Sequence, residues 1–339
     1  MKRGNFHIAL FSATGMLVLI LDGKTALHGA ITGMDLCIRT LIPSLFPFFV
    51  LSILLTGALS GQPLKWLQPI GTITGIPKGA ESLLAVSILG GYPVGAQSIS
   101  LLHQQGQIDS SQAMRLLAFC NNAGPAFIFG VLGTMFTDRK TVWLLWFIHI
   151  FSAFFVGAVL PKNQTTEIVQ PIIRQIRITD ALVQALKTMA LVCGWVICIK
   201  IILVFTESWF LRFLPASMQI VISGITELSN GCLRLPELEC EGLRFLIASF
   251  FLSFGGLCVT LQTASVADGI SMTFYFPGKM LQCCISILLS CVFQFSFPPA
   301  SRCNCPGVVL LSASAAIFLI SFFRYSKKVV EFRRPLMYN

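Results

Sequence analysis

Two short polar segments interrupt apolar stretches in the first half of the chain, and their residue types are suited to binding a ligand. Residues 90–96 read Gly-Gly-Tyr-Pro-Val-Gly-Ala, and residues 121–125 read Asn-Asn-Ala-Gly-Pro. Proline removes a backbone donor, glycine loosens a helix, and asparagine amides need hydrogen-bond partners. Inside a membrane, such irregular backbone survives only where protein buries it or water reaches it. Broken helices of this kind form the substrate sites of many transporters.

The first segment predicts a helix break at Tyr92 and Pro93, flanked by Gly91 and Gly95. A break exposes the backbone N–H groups at the start of the following helix, where anions bind well. We therefore place these four residues in a substrate site. The alternative is a packing kink, in which the glycines allow neighbouring helices to approach closely.

The second segment places Asn121, Asn122 and Gly124 in another break. Unpaired amides in an apolar environment cost about 2–7 kcal/mol each. These amides either pair with each other and with the freed backbone, or they face the polar atoms of a ligand, and we assign all three residues to the site. Arg115, at the head of this segment, either holds an anionic group or marks an interface.

Glu227 is the sharpest feature of the second half, because a carboxylate within an apolar stretch predicts a function. Ser229 and Asn230 follow it closely. The carboxylate could carry a coupling proton, coordinate a cation with these two neighbours, or neutralise a buried basic residue. We assign all three residues to the site.

A softer version of the same pattern follows later in the second half. Ser253 stands two residues before Gly255 and Gly256, and Gln262 comes six residues further on. A serine beside two glycines again predicts an interrupted helix. We add Ser253, Gly255 and Gly256 to the predicted substrate-binding residues.

Templates for catalysis and metal binding are missing from the sequence. It has no G-x-S-x-G, H-E-x-x-H, Walker or G-x-G-x-x-G motif in a suitable context. The four histidines are scattered, and Cys303 and Cys305 have no histidine nearby. We therefore predict no enzyme, no catalytic residues, no metal and no cofactor.

The composition indicates an all-α polytopic membrane protein with a single membrane domain, residues 1–339. Of the 339 residues, 55% are hydrophobic and 11% are charged, and the mean hydropathy is +0.79. Soluble domains carry about 25% charged residues. The net charge of +10 lies in short loops and in the tail 324–339, where it fits a cytoplasmic face and anionic lipids rather than nucleic acid.

Ten apolar segments are candidates for membrane crossings. They are 6–21, 36–59, 82–103, 113–136, 142–160, 181–205, 215–233, 243–267, 274–297 and 307–323. If all ten crossed, the basic loop 161–180 would lie outside the cell, against the positive-inside rule. Eight spans with 113–136 and 243–267 as re-entrant or broken segments resolve the conflict. We read 6–21 as a retained first span rather than a cleaved signal peptide.

The segments suggest two related halves, 30–160 and 175–300. Residues 35–55 resemble 180–200, each beginning at an aspartate, and two interrupted segments and an aromatic-rich span follow in both halves. Three crossings per half would invert one half relative to the other. An inverted repeat with paired broken helices predicts a binding site near the bilayer midplane.

Four motifs in order resemble the YlbJ family of sporulation integral membrane proteins, also called SpoVV, with its nucleoside-recognition Gate domain. They are residues 90–96, 115–130, 227–231 and 253–257 with Gln262. Ala123 and residues 258–260 depart from the expected pattern. The resemblance, over about 30–300, implies a role in spore formation in the mother-cell-derived membrane around the forespore, and transport of dipicolinic acid.

These observations predict a transporter of a small organic anion, dipicolinic acid first, in the bacterial cell membrane, specifically the outer forespore membrane. Dipicolinate is a small aromatic dianion, which suits amide donors and an aromatic wall such as Tyr92. The alternatives are a transporter of nucleosides or other metabolites, and a scaffold of the spore-forming membrane without transport. The expected partners are the anionic substrate and membrane lipids, without nucleic acid; a homo-oligomer is left open.

Overall fold

Helices form all the regular structure in the residues that the computed structural model describes, 3–59, 64–162 and 177–293, and no strand occurs among them. The predicted all-α polytopic class is confirmed. The predicted segment 307–323, the tail 324–339, and Cys303 and Cys305 lie outside the described residues.

The helices are numbered here in chain order. They are α1 (Arg3–Leu21), α2 (Gly23–Leu59), α3 (Gln68–Thr74), α4 (Ser82–Leu89), α5 (Val94–Gln104), α6 (Ser110–Cys120), α7 (Pro125–Gly130), α8 (Arg139–Val159), α9 (Ile178–Trp209), α10 (Ala216–Thr226), α11 (Leu228–Leu233), α12 (Glu241–Phe254), α13 (Gly256–Val266) and α14 (Tyr275–Phe293).

Five helical stretches in the described part of the chain are long and apolar enough to cross a membrane. They are α2, α8, α9, α12 with α13, and α14. The apolar helix α1 is shorter and exposes large side chains such as Phe11 and Ile20. An exposed apolar surface of this kind is more favourable in contact with lipid than with water. The other interrupted segments consist of short helices, so the number of eight spans stays a prediction.

The structure places the start of α2 earlier than the sequence predicted. The helix begins at Gly23 instead of residue 36, and the Asp22 carboxylate caps it by accepting from the Thr25 N–H at 3.2 Å. Asp35 therefore lies in the middle of α2, where it pairs with Arg39 one turn later on the exposed surface. Asp180, by contrast, lies in the first turn of α9. The two aspartates at which the similar segments begin thus lie at different positions in their helices.

The same order of elements occurs twice along the chain. A long helix, two interrupted pairs and a final long helix follow one another as α2 to α8, apart from the short α3, and again as α9 to α14. The contacts are reciprocal: α2 packs on α9, α8 packs on α14, α6 contacts α14, and α12 contacts α8. Such contacts are what a two-fold repeat would produce; the inverted repeat itself, with its boundaries, stays a prediction.

Candidate functional site

The first break, residues 90–93, separates α4 from α5 where the sequence predicted it. Gly91 has a φ of +73°, and the Tyr92–Pro93 peptide bond is cis. A Cβ on Gly124 would lie only 2.8 Å from the Gly91 backbone. The first break therefore touches the second break, residues 121–124, backbone to backbone, and only glycines fit there.

Asn121 joins the second break to helices of both halves. Its Oδ1 accepts from the Ala96 N–H at 3.3 Å, and its Nδ2 donates to Thr263 Oγ1 at 2.8 Å. The Ala96 N–H belongs to the first turn of α5, where the sequence predicted free donors for an anion. One of those donors is thus already occupied by the protein.

Asn122 is saturated by protein groups as well. Its Nδ2 donates to Ser87 Oγ at 3.1 Å and to the Phe119 carbonyl at 2.6 Å. Its Oδ1 accepts from Lys279 Nζ and from Gln282 Nε2, both at 3.2 Å. Both asparagines are fully buried, and in this state their amides pair with backbone and side-chain groups of the protein; their role in binding a ligand stays a prediction.

Lys279 is the central residue of this cluster, and the sequence analysis missed it. The side chain is 1% exposed. Its Nζ donates to Asn121 O at 2.6 Å, Gln282 Oε1 at 3.0 Å, Asn122 Oδ1 at 3.2 Å and Tyr92 Oη at 3.3 Å. All four acceptors are neutral oxygens. A lysine inside the apolar segment 274–297 was the available signal, because intramembrane charges mark functional sites.

Two aromatic rings complete the surroundings of the Lys279 ammonium. It lies 5.3 Å from the ring centroid of Tyr92 and 5.8 Å from that of Tyr275, within the range of cation–π attraction. Gly278 allows α14 to approach α6 closely, since a Cβ on Gly278 would lie 2.7 Å from Ala118 Cβ. The close approach of α14 to α6 brings the ammonium to the second break.

His149 supports the second break from α8. Its Nε2 accepts from the Ala123 N–H at 3.1 Å, while Gln282 Nε2 donates to the His149 carbonyl at 3.2 Å. The ring is buried and satisfies a backbone donor that the break leaves free. The sequence analysis weighed the histidines only as metal ligands and so did not find this role.

Glu227 forms the third break, between α10 and α11, and caps α11. Its carboxylate accepts from the Ser229 N–H at 3.0 Å, the Asn230 N–H at 2.7 Å and Asn230 Nδ2 at 2.9 Å. It is 2% exposed. Asn230 Oδ1 in turn accepts from Lys200 Nζ at 2.7 Å. A basic residue therefore reaches the carboxylate through Asn230.

Gly255 forms the fourth break, between α12 and α13. Gly255 and Gly256 have φ values of +79° and +82°, which glycine adopts readily. A Cβ on Gly255 would lie 3.1 Å from the Tyr92 hydroxyl, and that hydroxyl donates to the Leu252 carbonyl at 3.3 Å. Next to it, Ser253 Oγ is fully buried and has no partner among the described residues.

A cavity of about 40 Å³ lies where the breaks meet. Its polar wall comes from the first three breaks and α13, and its apolar wall comes from α2 and α9. The lining includes Leu41, Leu45, Phe49, Gly90, Gly91, Tyr92, Ala123, Gly124, Val192, Val196, Glu227, Ser229 and Gln262.

The predicted site residues therefore fall into two groups. Gly91, Tyr92, Gly124, Glu227 and Ser229 line the cavity. The others do not line it: Pro93, Gly95, Asn121, Asn122, Asn230, Ser253, Gly255 and Gly256. Among these, Gly95 serves packing, since a Cβ there would lie 2.3 Å from the Cys120 carbonyl oxygen.

Arg115 holds the ends of helices together and is not placed to hold an anion. Its guanidinium donates to the carbonyls of Thr74 at 2.7 Å, Gly75 at 3.3 Å and Pro161 at 2.8 Å, and also to those of Gly157 and Leu160. These carbonyls lie at the C-terminal ends of α3 and α8. The second of its two predicted roles, an interface, is the one observed.

Arg234, beyond the end of α11, shows how a basic residue is compensated elsewhere in the chain. It contacts Glu237 at 2.9 Å and Glu207 at 3.6 Å. The hydrogen bond to Glu237 and the two carboxylates raise the pKa of this guanidinium. The more deeply buried Lys279, by contrast, meets neutral oxygens.

The described residues contain no group of three or more His, Cys, Asp or Glu side chains that could hold a metal ion.

The chain is similar to the sporulation integral membrane protein YlbJ of Bacillus subtilis (strain 168). The two are 26% identical over 331 residues, covering 83% of this chain and 80% of the relative. No family model and no solved structure matches the chain. The resemblance predicted from the motifs is thus confirmed at the level of the relative, while the Gate domain stays a prediction.

Proposed function

We propose that this chain belongs to the YlbJ family of sporulation integral membrane proteins and that it transports a small organic anion during sporulation. Dipicolinic acid is the first candidate. The membrane is the outer forespore membrane, which derives from the mother cell. The similarity to YlbJ supports the sporulation role, and the site supports the anionic substrate.

The observation that carries the proposal is the surroundings of the Lys279 ammonium, which meets neutral oxygens and no carboxylate among the described residues. A buried charge is costly unless an opposite charge or hydrogen bonds stabilise it. The four neutral oxygens around Nζ supply hydrogen bonds but no negative charge. A substrate anion near Tyr92 would supply the missing charge, and it would do so in a region where electrostatic attraction is strong.

The shape of the cavity fits an aromatic anion once the cavity widens. Leu41, Phe49 and Val196 form an apolar wall opposite the polar breaks, which suits the flat face of a pyridine ring. The present volume of about 40 Å³ has room for a few water-sized molecules at most. The described conformation is therefore a closed state in this proposal, and loading requires α2 and α9 to move away from the breaks.

Glu227 provides a way to couple the anion to a proton. Its carboxylate lines the same cavity as Tyr92, and two negative charges in one small cavity repel each other. An anion entering beside Glu227 therefore favours the protonated carboxyl group. Substrate and proton would then cross together.

The test is uptake of radiolabelled dipicolinate by proteoliposomes that contain the purified protein. We expect saturable uptake above that of protein-free vesicles. Uptake no greater than in protein-free vesicles, by protein that is monodisperse before reconstitution, would reject the substrate.

A second candidate is a transporter of nucleosides or similar neutral metabolites. Gln262 and Glu227 both line the cavity, and their polar groups suit the hydroxyl and amide groups of such a ligand. Excess nucleoside would block uptake only if this alternative holds. A scaffold without transport predicts, instead, that substitutions at Asn121, Asn122 and Glu227 act solely through folding and abundance.

A further inference from the structure

We propose that the Lys279 ammonium occupies a monovalent-cation site and takes the place of a bound sodium ion, so that transport does not require sodium. The link to transport rests on the proposed function. The cation site itself is a property of the folded protein and can be tested without any substrate.

The oxygen atoms around Nζ are of the kind that binds a sodium ion in transporters. Unwound backbone carbonyls at helix breaks coordinate such ions, and Asn121 O is a carbonyl of the second break, 2.6 Å from Nζ. The side-chain oxygens of Asn122, Gln282 and Tyr92 complete the shell at 3.0–3.3 Å. Carbonyl and hydroxyl oxygens of this sort suit hard cations rather than the soft metals that thiolates select.

The charge distribution at the site also suits a cation of charge +1. An ammonium group has three N–H donors, and here four oxygens converge on it, so the shell is complete without water. The rings of Tyr92 and Tyr275 lie close to the same point, with centroids 5.3 and 5.8 Å from Nζ. Both distances are within the range over which a cation and an aromatic ring attract each other.

Removing the ammonium would take this donor from Asn121 O and Gln282 Oε1, while Asn122 Oδ1 keeps the bond from Gln282 Nε2. Buried acceptors that lose their partner cost about 1–3 kcal/mol each. Because Lys279 comes from α14 while Tyr92, Asn121 and Asn122 come from the first two breaks, the cation joins the two halves of the chain. A shortened side chain at this position leaves a hole with oxygen walls, which an ion from solution can fill.

The experiment measures the melting temperature of purified wild type, Lys279→Ala and Lys279→Met in sodium chloride and in choline chloride of equal concentration. Alanine empties the site, whereas methionine removes the charge but fills the space. We expect the wild type and Lys279→Met to melt at the same temperature in both salts. We expect Lys279→Ala to melt about 3 °C or more higher in sodium, with saturation as sodium increases.

Two results would overturn the proposal. One is a sodium-dependent rise in the melting temperature of the wild type, which needs no variant to fold. The other is a Lys279→Ala protein that melts equally, or is equally unrecoverable, in both salts. Recovery of folded Lys279→Ala in sodium alone would support it.

An uptake measurement distinguishes failure of this proposal from failure of the proposed function. Wild-type dipicolinate uptake should be the same in sodium and choline buffers, and a tenfold loss in choline would refute independence from sodium. If the wild type shows no uptake in either salt, the proposed function fails, while the melting temperatures still decide whether Lys279 fills a cation site.

Discussion

Lys279 and Asn122 lie in different halves of the chain and meet in a hydrogen bond of 3.2 Å from Nζ to Oδ1. The side-chain amide of Asn122, in the second break, thus accepts a hydrogen bond from the ammonium group that α14 contributes. Gln282, one turn after Lys279, donates to the same oxygen at 3.2 Å. The second break and α14 therefore form one polar unit, and the following predictions depend on it.

Lys279→Met should lower dipicolinate uptake at least tenfold, because it removes the positive charge that compensates the anion. The measurement is initial uptake per folded transporter in proteoliposomes. Lys187→Met is the matched control, since Lys187 is exposed on α9, and it should transport normally. Full uptake by Lys279→Met would show that the anion is balanced elsewhere.

Asn122→Asp should show whether uptake depends on the free charge of Lys279 or only on the stability of the fold. The carboxylate can still accept from Lys279, and the ion pair offsets part of the lost amide donation to Ser87 and Phe119. We expect the melting temperature to stay within a few degrees of wild type, while uptake falls at least tenfold because Lys279 is already neutralised. Asn122→Leu should lose both stability and uptake. An Asn122→Asp protein that transports like the wild type would contradict the charge argument.

Glu227→Gln should remove the pH dependence of uptake. In the wild type, a proton that travels with the anion makes uptake rise as the external pH falls, and glutamine cannot carry that proton. The variant also weakens the cap of α11 by about 1 kcal/mol, which melting curves will show. Uptake that remains full and keeps its pH dependence would assign the coupling to another group.

Gly124→Ala should destabilise the protein by about 1–3 kcal/mol and abolish uptake, because the added Cβ would press on the Gly91 backbone. Gly194→Ala is the matched control: nothing lies within 4 Å of its Cβ position in α9. Alanine there should leave stability unchanged or raise it by up to about 1 kcal/mol. Equal behaviour of the two variants would show that the contact between the breaks has no importance.

Arg115→Met should reduce the yield of folded protein without changing the KM for substrate. The side chain bonds to carbonyls at two helix ends, and hydrogen bonds to a charged group contribute about 1.5–3 kcal/mol each. Arg39→Met is the control, because its ion pair with Asp35 is exposed and contributes at most about 1 kcal/mol. A raised KM in the small folded fraction of Arg115→Met would instead show that Arg115 binds the substrate anion.

The breaks could be predicted from the sequence because their causes are local. Gly91, Pro93 and Gly124 restrict or free the backbone at their own positions, and Glu227 caps the helix that follows it directly. Lys279 and His149 escaped prediction because their partners are remote in the chain: Lys279 bonds to Asn122, 157 residues away, and His149 to Ala123, 26 residues away. The start of α2 was missed because Gly23–Leu36 is less apolar than the rest of that helix.

Helix α2 has 37 residues and is therefore about 55 Å long, nearly twice the hydrocarbon thickness of a bilayer, about 30 Å. It must lean steeply or project beyond the lipid, as must α9, on which it packs. A helix longer than the bilayer is thick adapts by tilting, by kinking or by thickening the bilayer around it. Because Leu41 of α2 and Val196 of α9 both belong to the apolar wall of the cavity, the lipid chain length around the protein bears directly on how wide its interior can open.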